Sequence, residues 1–289
     1  MGARIDLSGP YRKAAWAEKR FAALREVIDE ALHPGDGSQP LELGADFDET
    51  ELTVLLRIEH APELPWYTGM MIGDVLHNLR SALDHTAWAL VEAGTTPVPS
   101  SPRLVQFPIY DDAGNFSAQV TKRLPGVSSE AVAIIESVQP YQRGATAEAL
   151  GVLARLSNED KHRHIPASVV GTASFNLSWT GIDCDIESAE MLFEIPDVPD
   201  LVVGTPLFRI HVSNIRAANP SVRVDGDITP YVAIESRWSL THRLAGIRDA
   251  VLDTMTRLDP DVAALIHPKT ASEMPSPAPD EPGPTIAPA

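Results

Sequence analysis

The stretch from Trp66 to Ala93 constrains the fold more than any other part of the chain. Pro65 precedes it and Gly94 follows it, the punctuation of a helix start and stop. Within it Ile72, Val75, Leu76, Leu79, Leu83, Thr86 and Leu90 recur at three- and four-residue steps and form one apolar stripe. A helix of that length runs about 40 Å, enough to cross a small domain. Other elements must therefore cover its stripe.

The opposite side of this helix is unusual. Solvated helix faces are ordinarily filled by Glu, Lys and Gln. The run HNLRSALDH (77–85) offers His77, Asn78, Arg80, Ser81, Asp84 and His85 instead. On a helix turning about 100° per residue, His77, Arg80, Ser81, Asp84, His85 and Trp88 fall on one broad face. Asp74 and Asn78 lie at its edge. Such a face either lines a polar cleft or holds the fold together in a specific way.

The remaining elements alternate in type. Residues 10–33 read as a helix, with Pro10 in its first turn. Residues 41–60 read as a β-hairpin, from the alternation of Leu41 and Leu43 and then of Leu52, Val54, Leu56 and Ile58. LVQFPIY (104–110) is a candidate short strand. Shorter helices are expected near 114–124, 128–138 and 145–158. From about 166 to 235 strand-like runs are divided by Gly, Pro, Asn and Asp. A final helix is expected from about 236 to 258.

The expected class is α+β, a helical bundle with a β-rich insertion packed on or beside it. Residues 1–165 would supply the bundle region with its hairpin, and 166–235 the insertion. Residues 236–266 would return to the bundle. The Pro-rich segment 267–289 has too few apolar residues to build a core and is expected to be disordered.

Charge narrows the classes of partner. The chain has 40 Asp and Glu against 23 Lys and Arg, a formal net charge of −17. A protein that coats nucleic acid non-specifically is disfavoured, because phosphate binding needs Lys and Arg. The acid is concentrated around 36–63 and 183–200, whereas 141–165 carries Arg143, Arg155, Lys161 and Arg163. A local anion site remains compatible with the sequence. Cys184 is the only cysteine, so neither an intrachain disulfide nor a Cys-rich zinc site is expected. No apolar run approaches the roughly 18 residues of a membrane span. The start, MGARIDLSGPYRKAAW, has no apolar h-region of a secretory signal. The expectation is a cytoplasmic protein without a membrane partner.

A second polar cluster, NEDKHRH (158–164), falls at the end of the 145–158 helix. It holds Asn158, Asp160, Lys161, His162, Arg163 and His164. The helix dipole alone accounts for basic residues there. Likewise Asp84 could simply hold Arg80 one turn away, and the whole face could be a structural polar network. A metal site built from His77, Asp84, His85, Asp160, His162 and His164 is a third reading. No HExxH or Glu-x-x-His pair supports it, and the expectation is no metal and no cofactor. GxxxxGK[ST], GxGxxG and GxSxG are absent as well.

Arg80-Ser-Ala-Leu-Asp-His85 resembles the Arg-x4-6-His signature of HEPN domains, helical bundles found in bacterial toxin, abortive-infection and RNA-processing proteins. The resemblance covers roughly residues 66–165. HNLRSALDH together with NEDKHRH also resembles a recurring motif pair in uncharacterised bacterial and phage proteins. The HEPN resemblance implies metal-independent RNA cleavage of the toxin or phage-defence kind, often by a homodimer that joins two Arg/His pairs. Arg80 would then stabilise charge on the phosphate, and His85 would act as general acid or base. Asp84 would orient its cationic partner. His77, Asn78, Ser81, Asn158, Asp160, Lys161, His162 and Arg163 would support or bind the substrate. The alternative is a non-catalytic binding or structural protein with a buried polar network, and the residues leave open whether the chain is an enzyme.

Overall fold

The computed structural model of the chain describes residues 5–35, 41–95, 101–160, 165, 167–173, 178–192, 200–218, 220–225, 228–234 and 238–259. The architecture is α+β. The first helix, α1 (Ser8–Leu32), leads into the hairpin β1 (Glu42–Asp48) and β2 (Thr53–His60) and then the long helix α2 (Thr68–Gly94). Three helices follow: α3 (Ala113–Arg123), α4 (Ser129–Ser137) and α5 (Ala145–Asp160). A strand-rich stretch contains β3 (Ala167–Ala173), β4 (Ser178–Gly181), β5 (Asp185–Met191), β6 (Pro206–Ser213), β7 (Val222–Asp225), β8 (Ile228–Ile234) and β9 (Trp238–Ser239). The helix α6 (Leu240–Leu258) ends the described chain. The segment 267–289 lies outside the described residues. No helix among those residues is long and apolar enough to cross a membrane.

The long helix is the centre of the bundle. Its stripe residues Ile72, Val75, Leu76, Leu79, Leu83 and Leu90 are buried. It packs against α1, α5 and α6. Leu7 packs with Ala89, and Arg20 pairs with Asp74 at 2.8 Å, so α1 runs antiparallel to α2. Several starts are capped by side chains. Asp112 accepts the amide of Asn115 at 2.9 Å before α3, and Ser128 accepts that of Ala131 before α4.

The strands form antiparallel sheets, and the largest has the order β1-β2-β6-β5. The N-terminal hairpin thus pairs with the strand-rich stretch: Val54 faces Ile210 and Leu56 faces Phe208. The strand-rich stretch is therefore tied to the hairpin through backbone pairing. Alternate residues Val54, Leu56 and Ile58 of β2 are buried in the same cluster as Leu76 of α2 and Leu153 of α5. That shared core packs the sheet onto the bundle. A second sheet has the order β3-β8-β9, and β8 and β9 touch α6. Cys184 is buried beside β5 as a free thiol.

One expectation is corrected. Residues 105–110 are buried or half-buried in part but belong to no strand. Pro108 has no amide to donate to a ladder, so a run containing it makes a poor interior strand. Its partners are side chains.

Candidate functional site

Arg80 and Asp84 stand one turn apart on α2, with Nη2 and Oδ1 3.1 Å from each other. Both reach the same residue of the 105–110 segment. Arg80 Nη2 donates to the carbonyl of Phe107 at 2.7 Å. Asp84 Oδ1 accepts the amide N–H of Phe107 at 2.9 Å. The pair thus takes up the two backbone polar groups of a residue whose ring is fully buried. A buried backbone outside helix and sheet needs such partners, because an unpaired amide or carbonyl costs as much as a lost hydrogen bond.

The next residues are held by another side chain. Gln139, itself fully buried, donates from Nε2 to the carbonyls of Pro108 at 2.8 Å and Ile135 at 2.9 Å. Its Oε1 accepts the amide of Tyr110 at 3.0 Å. Three side chains from two helical regions therefore do for 107–110 what a neighbouring strand would do elsewhere. The polar choice on α2 has its physical account here. Lys could not reproduce it, since a single ammonium offers no acceptor for the Phe107 amide.

The other residues of the helix face divide. Asn78 is buried and donates from Nδ2 to the Asp74 carbonyl at 2.7 Å, one turn back on its own helix. Ser81 is half-buried, and Trp88 packs partly buried against the core. His77 and His85 are exposed. His85 does not line the cleft beside Arg80.

That cleft measures about 240 Å³. Its polar lining comes from Arg80, Gln106, Arg123, Ser157 and Asn158, with Tyr110 at the side. It sits where α2, the 105–110 segment and the last turns of α3 and α5 come together. Arg80 and Asn158, one from each polar run of the sequence, thus line one space. The end of α5 crosses α2 over small residues. A Cβ placed on Gly73 would lie 2.5 Å from Asp160 Oδ1, and one on Gly69 would lie 3.3 Å from the Ile165 carbonyl. Lys161, His162, Arg163 and His164 lie outside the described residues, so their sites are not placed.

Arg123 donates to the Leu104 carbonyl at 3.3 Å and to Gln106 Oε1 at 3.0 Å. Ser157 is buried, and its hydroxyl has no hydrogen-bond partner among the described residues. Sequence reasoning singled out neither residue, nor Gln139 or Phe107. Arg123 reads as an ordinary cation in the last turn of a helix, and Ser157 as a helix-end polar residue. Gln139 carried one weak signal, its place between a helix end and Pro140. Among the described residues no group of three or more His, Cys, Asp or Glu is gathered as for a metal ion. Two wider surface grooves, between α1 and α6 and over the β1–β2 turn, contain no residue of the polar helix face.

No protein-family profile, curated protein or solved structure matches the chain.

Proposed function

We propose that the chain is a non-catalytic binding protein in which the polar face of α2 is architecture. One observation carries the reading: Arg80 and Asp84 are both engaged by the Phe107 backbone. A general acid–base site keeps its groups aimed at a substrate atom. Here the pair instead holds the Phe107 backbone; of the two, Arg80 lines the small polar cleft, and neither Asp84 nor the exposed His85 is part of that lining. A cytoplasmic setting belongs to this proposal, as it keeps the lone thiol of Cys184 reduced. The test pairs two measurements on the purified chain. Arg80→Ala and Asp84→Ala should lower the melting temperature, and the wild-type protein should leave mixed single-stranded and structured RNAs intact with or without chelator. Chelator-resistant cleavage that both His85→Ala and Arg80→Ala abolish, with folding intact, overturns it.

A second reading is metal-independent RNA cleavage of the toxin or phage-defence kind, as the Arg-x4-His resemblance implies. The observation that favours it is the exposure of His77 and His85 on the same helix as Arg80. A five-residue separation puts Arg80 and His85 about 140° apart on a helix. One chain would then offer its histidine outward, to a second copy, and RNA would be the partner of a homodimer. Cleavage per chain that rises with protein concentration, and complementation between Arg80→Ala and His85→Ala chains, is the expected signature.

A further inference from the structure

We infer that the cleft between α2, α3 and α5 is a binding site for the phosphate group of a small phosphorylated molecule. The inference rests on the binding-protein reading for its context and adds the ligand class.

The charge of the lining points this way. The chain as a whole carries −17, yet the cleft is lined by two guanidinium groups, Arg80 and Arg123, and by no carboxylate among the described residues. Asp84 stands beside Arg80 and offsets its charge at 3.1 Å. The bonds from Arg123 go to a carbonyl and an amide oxygen, both neutral. Among the described residues, one positive charge is thereby left facing a polar space. Guanidinium groups match the oxygens of phosphate in geometry as well as in charge.

The hydroxyl of Ser157 is the second, independent observation. The residue is 8 % exposed and, among the described residues, its Oγ has no partner. A hydroxyl in a helix ordinarily folds back onto the carbonyl one turn earlier, as Thr86, Thr254 and Thr256 do in this chain. Ser157 makes no such bond and lines the same cleft as the two arginines. Buried polar atoms are rarely left unsatisfied without a reason. An oxyanion seated between Arg123 and Ser157 would supply the acceptor.

Size sets the class. Pockets for drug-sized ligands run about 300–1,000 Å³, and this one is about 240 Å³. It suits a phosphate with little attached inside, and any larger substituent would have to extend out of the mouth.

The experiment titrates the full chain at low ionic strength with inorganic phosphate and, separately, with adenosine 5′-monophosphate. Sodium chloride at matched ionic strength is the control, because diffuse charge effects follow salt alone. Melting temperature and calorimetric heat are read. The expected result is a saturable stabilisation by at least one of the two ligands and none by chloride. Tighter binding of the nucleotide identifies an ester that reaches beyond the cleft, and equal binding identifies the phosphate group alone. Arg123→Ala should weaken binding by about tenfold or more, the scale of one lost charge-assisted hydrogen bond. Ser157→Ala should weaken it severalfold while leaving the ligand-free melting temperature unchanged or raised, since it removes a buried unpaired hydroxyl. Ser157→Ala carries the test if Arg123→Ala fails to fold. No saturable response to either ligand, or full wild-type affinity in Ser157→Ala, overturns the inference. Neither result touches the binding-protein reading, which is judged by the melts and RNA assays above.

Discussion

Asp84 on α2 accepts the amide of Phe107, 23 residues further along the chain, at 2.9 Å. Arg80 completes the grip by donating to the carbonyl of the same residue. The helix that organises the bundle therefore also holds a segment with no regular structure of its own.

Breaking the grip should cost stability in a graded way. Arg80→Ala leaves the Phe107 carbonyl unpaired, and Asp84→Ala leaves its amide unpaired. Each should cost about 1–3 kcal/mol, the penalty for an unsatisfied buried group. Asp84→Asn keeps an acceptor oxygen and should cost less. His77→Ala and His85→Ala, at exposed positions, should stay within about 0.5 kcal/mol. Urea unfolding of the five variants checks the order. A His85→Ala loss as large as that of Arg80→Ala would contradict it.

Gln139 should be among the most sensitive polar positions. Its amide holds the backbone at Pro108, Ile135 and Tyr110. Gln139→Leu is close in size and removes all three bonds, so it should cost about 2–4 kcal/mol and loosen 107–110. Hydrogen exchange at the Tyr110 amide should speed up well beyond that at Phe107, which keeps its bond to Asp84.

Two helical glycines should respond in opposite directions to alanine. Gly246 in α6 has open space where a Cβ would stand. Gly246→Ala should stabilise the chain by about 0.5–1 kcal/mol through helix propensity. Gly94 closes α2 against the backbone of Gly126, where a Cβ would collide with the carbonyl. Gly94→Ala should destabilise by about 1–3 kcal/mol, as overpacking does. Thermal melts of the two variants decide it, and equal shifts would refute the packing account.

Acid should loosen the outer edge of the large sheet through Asp185. Hydrogen bonds from Arg216 and then Asn214 hold its carboxyl below the usual carboxylate range. The sign follows from proton linkage. The unfolded chain takes up the proton first, at about pH 3.9. The stabilisation is full above that value and is lost as pH falls through the lower folded one. Asp185→Asn should flatten the acid limb of stability against pH, lowering stability slightly at neutral pH and leaving it nearly unchanged in strong acid. An identical acid limb in the variant would remove Asp185 from the account.

Much of the helical frame was legible from local chemistry. Pro65 and Gly94 bracket α2, and the stripe from Ile72 to Leu90 is the face it buries. The hairpin was legible from alternation, since β2 buries Val54, Leu56 and Ile58. What escaped reading depends on distance along the chain. Nothing near Leu56 says that it faces Phe208. The 105–110 run has strand-like residues, but its partners are side chains at 80, 84 and 139. The polar face of α2 was conspicuous by its composition. Its backbone partner was not, because Phe107 bears no polar side chain to mark it.

The pairing of β2 with β6 has a consequence during synthesis. The hairpin is complete by His60, but the strand that covers its inner edge begins only at Pro206. Roughly 150 residues must emerge in between, which at about 5–20 residues per second takes on the order of ten seconds or more. For that interval Thr53–Arg57 presents unpaired amides and carbonyls next to apolar side chains, the kind of edge that recruits stray strands. The acidic run around it, Asp46, Asp48, Glu49, Glu51 and Glu59, bears on that interval as well as on the finished fold, where Asp46 pairs with Arg57 and Asp48 holds the turn. Like charges on two nascent chains repel, a force that opposes the pairing of one open edge with another before β6 arrives.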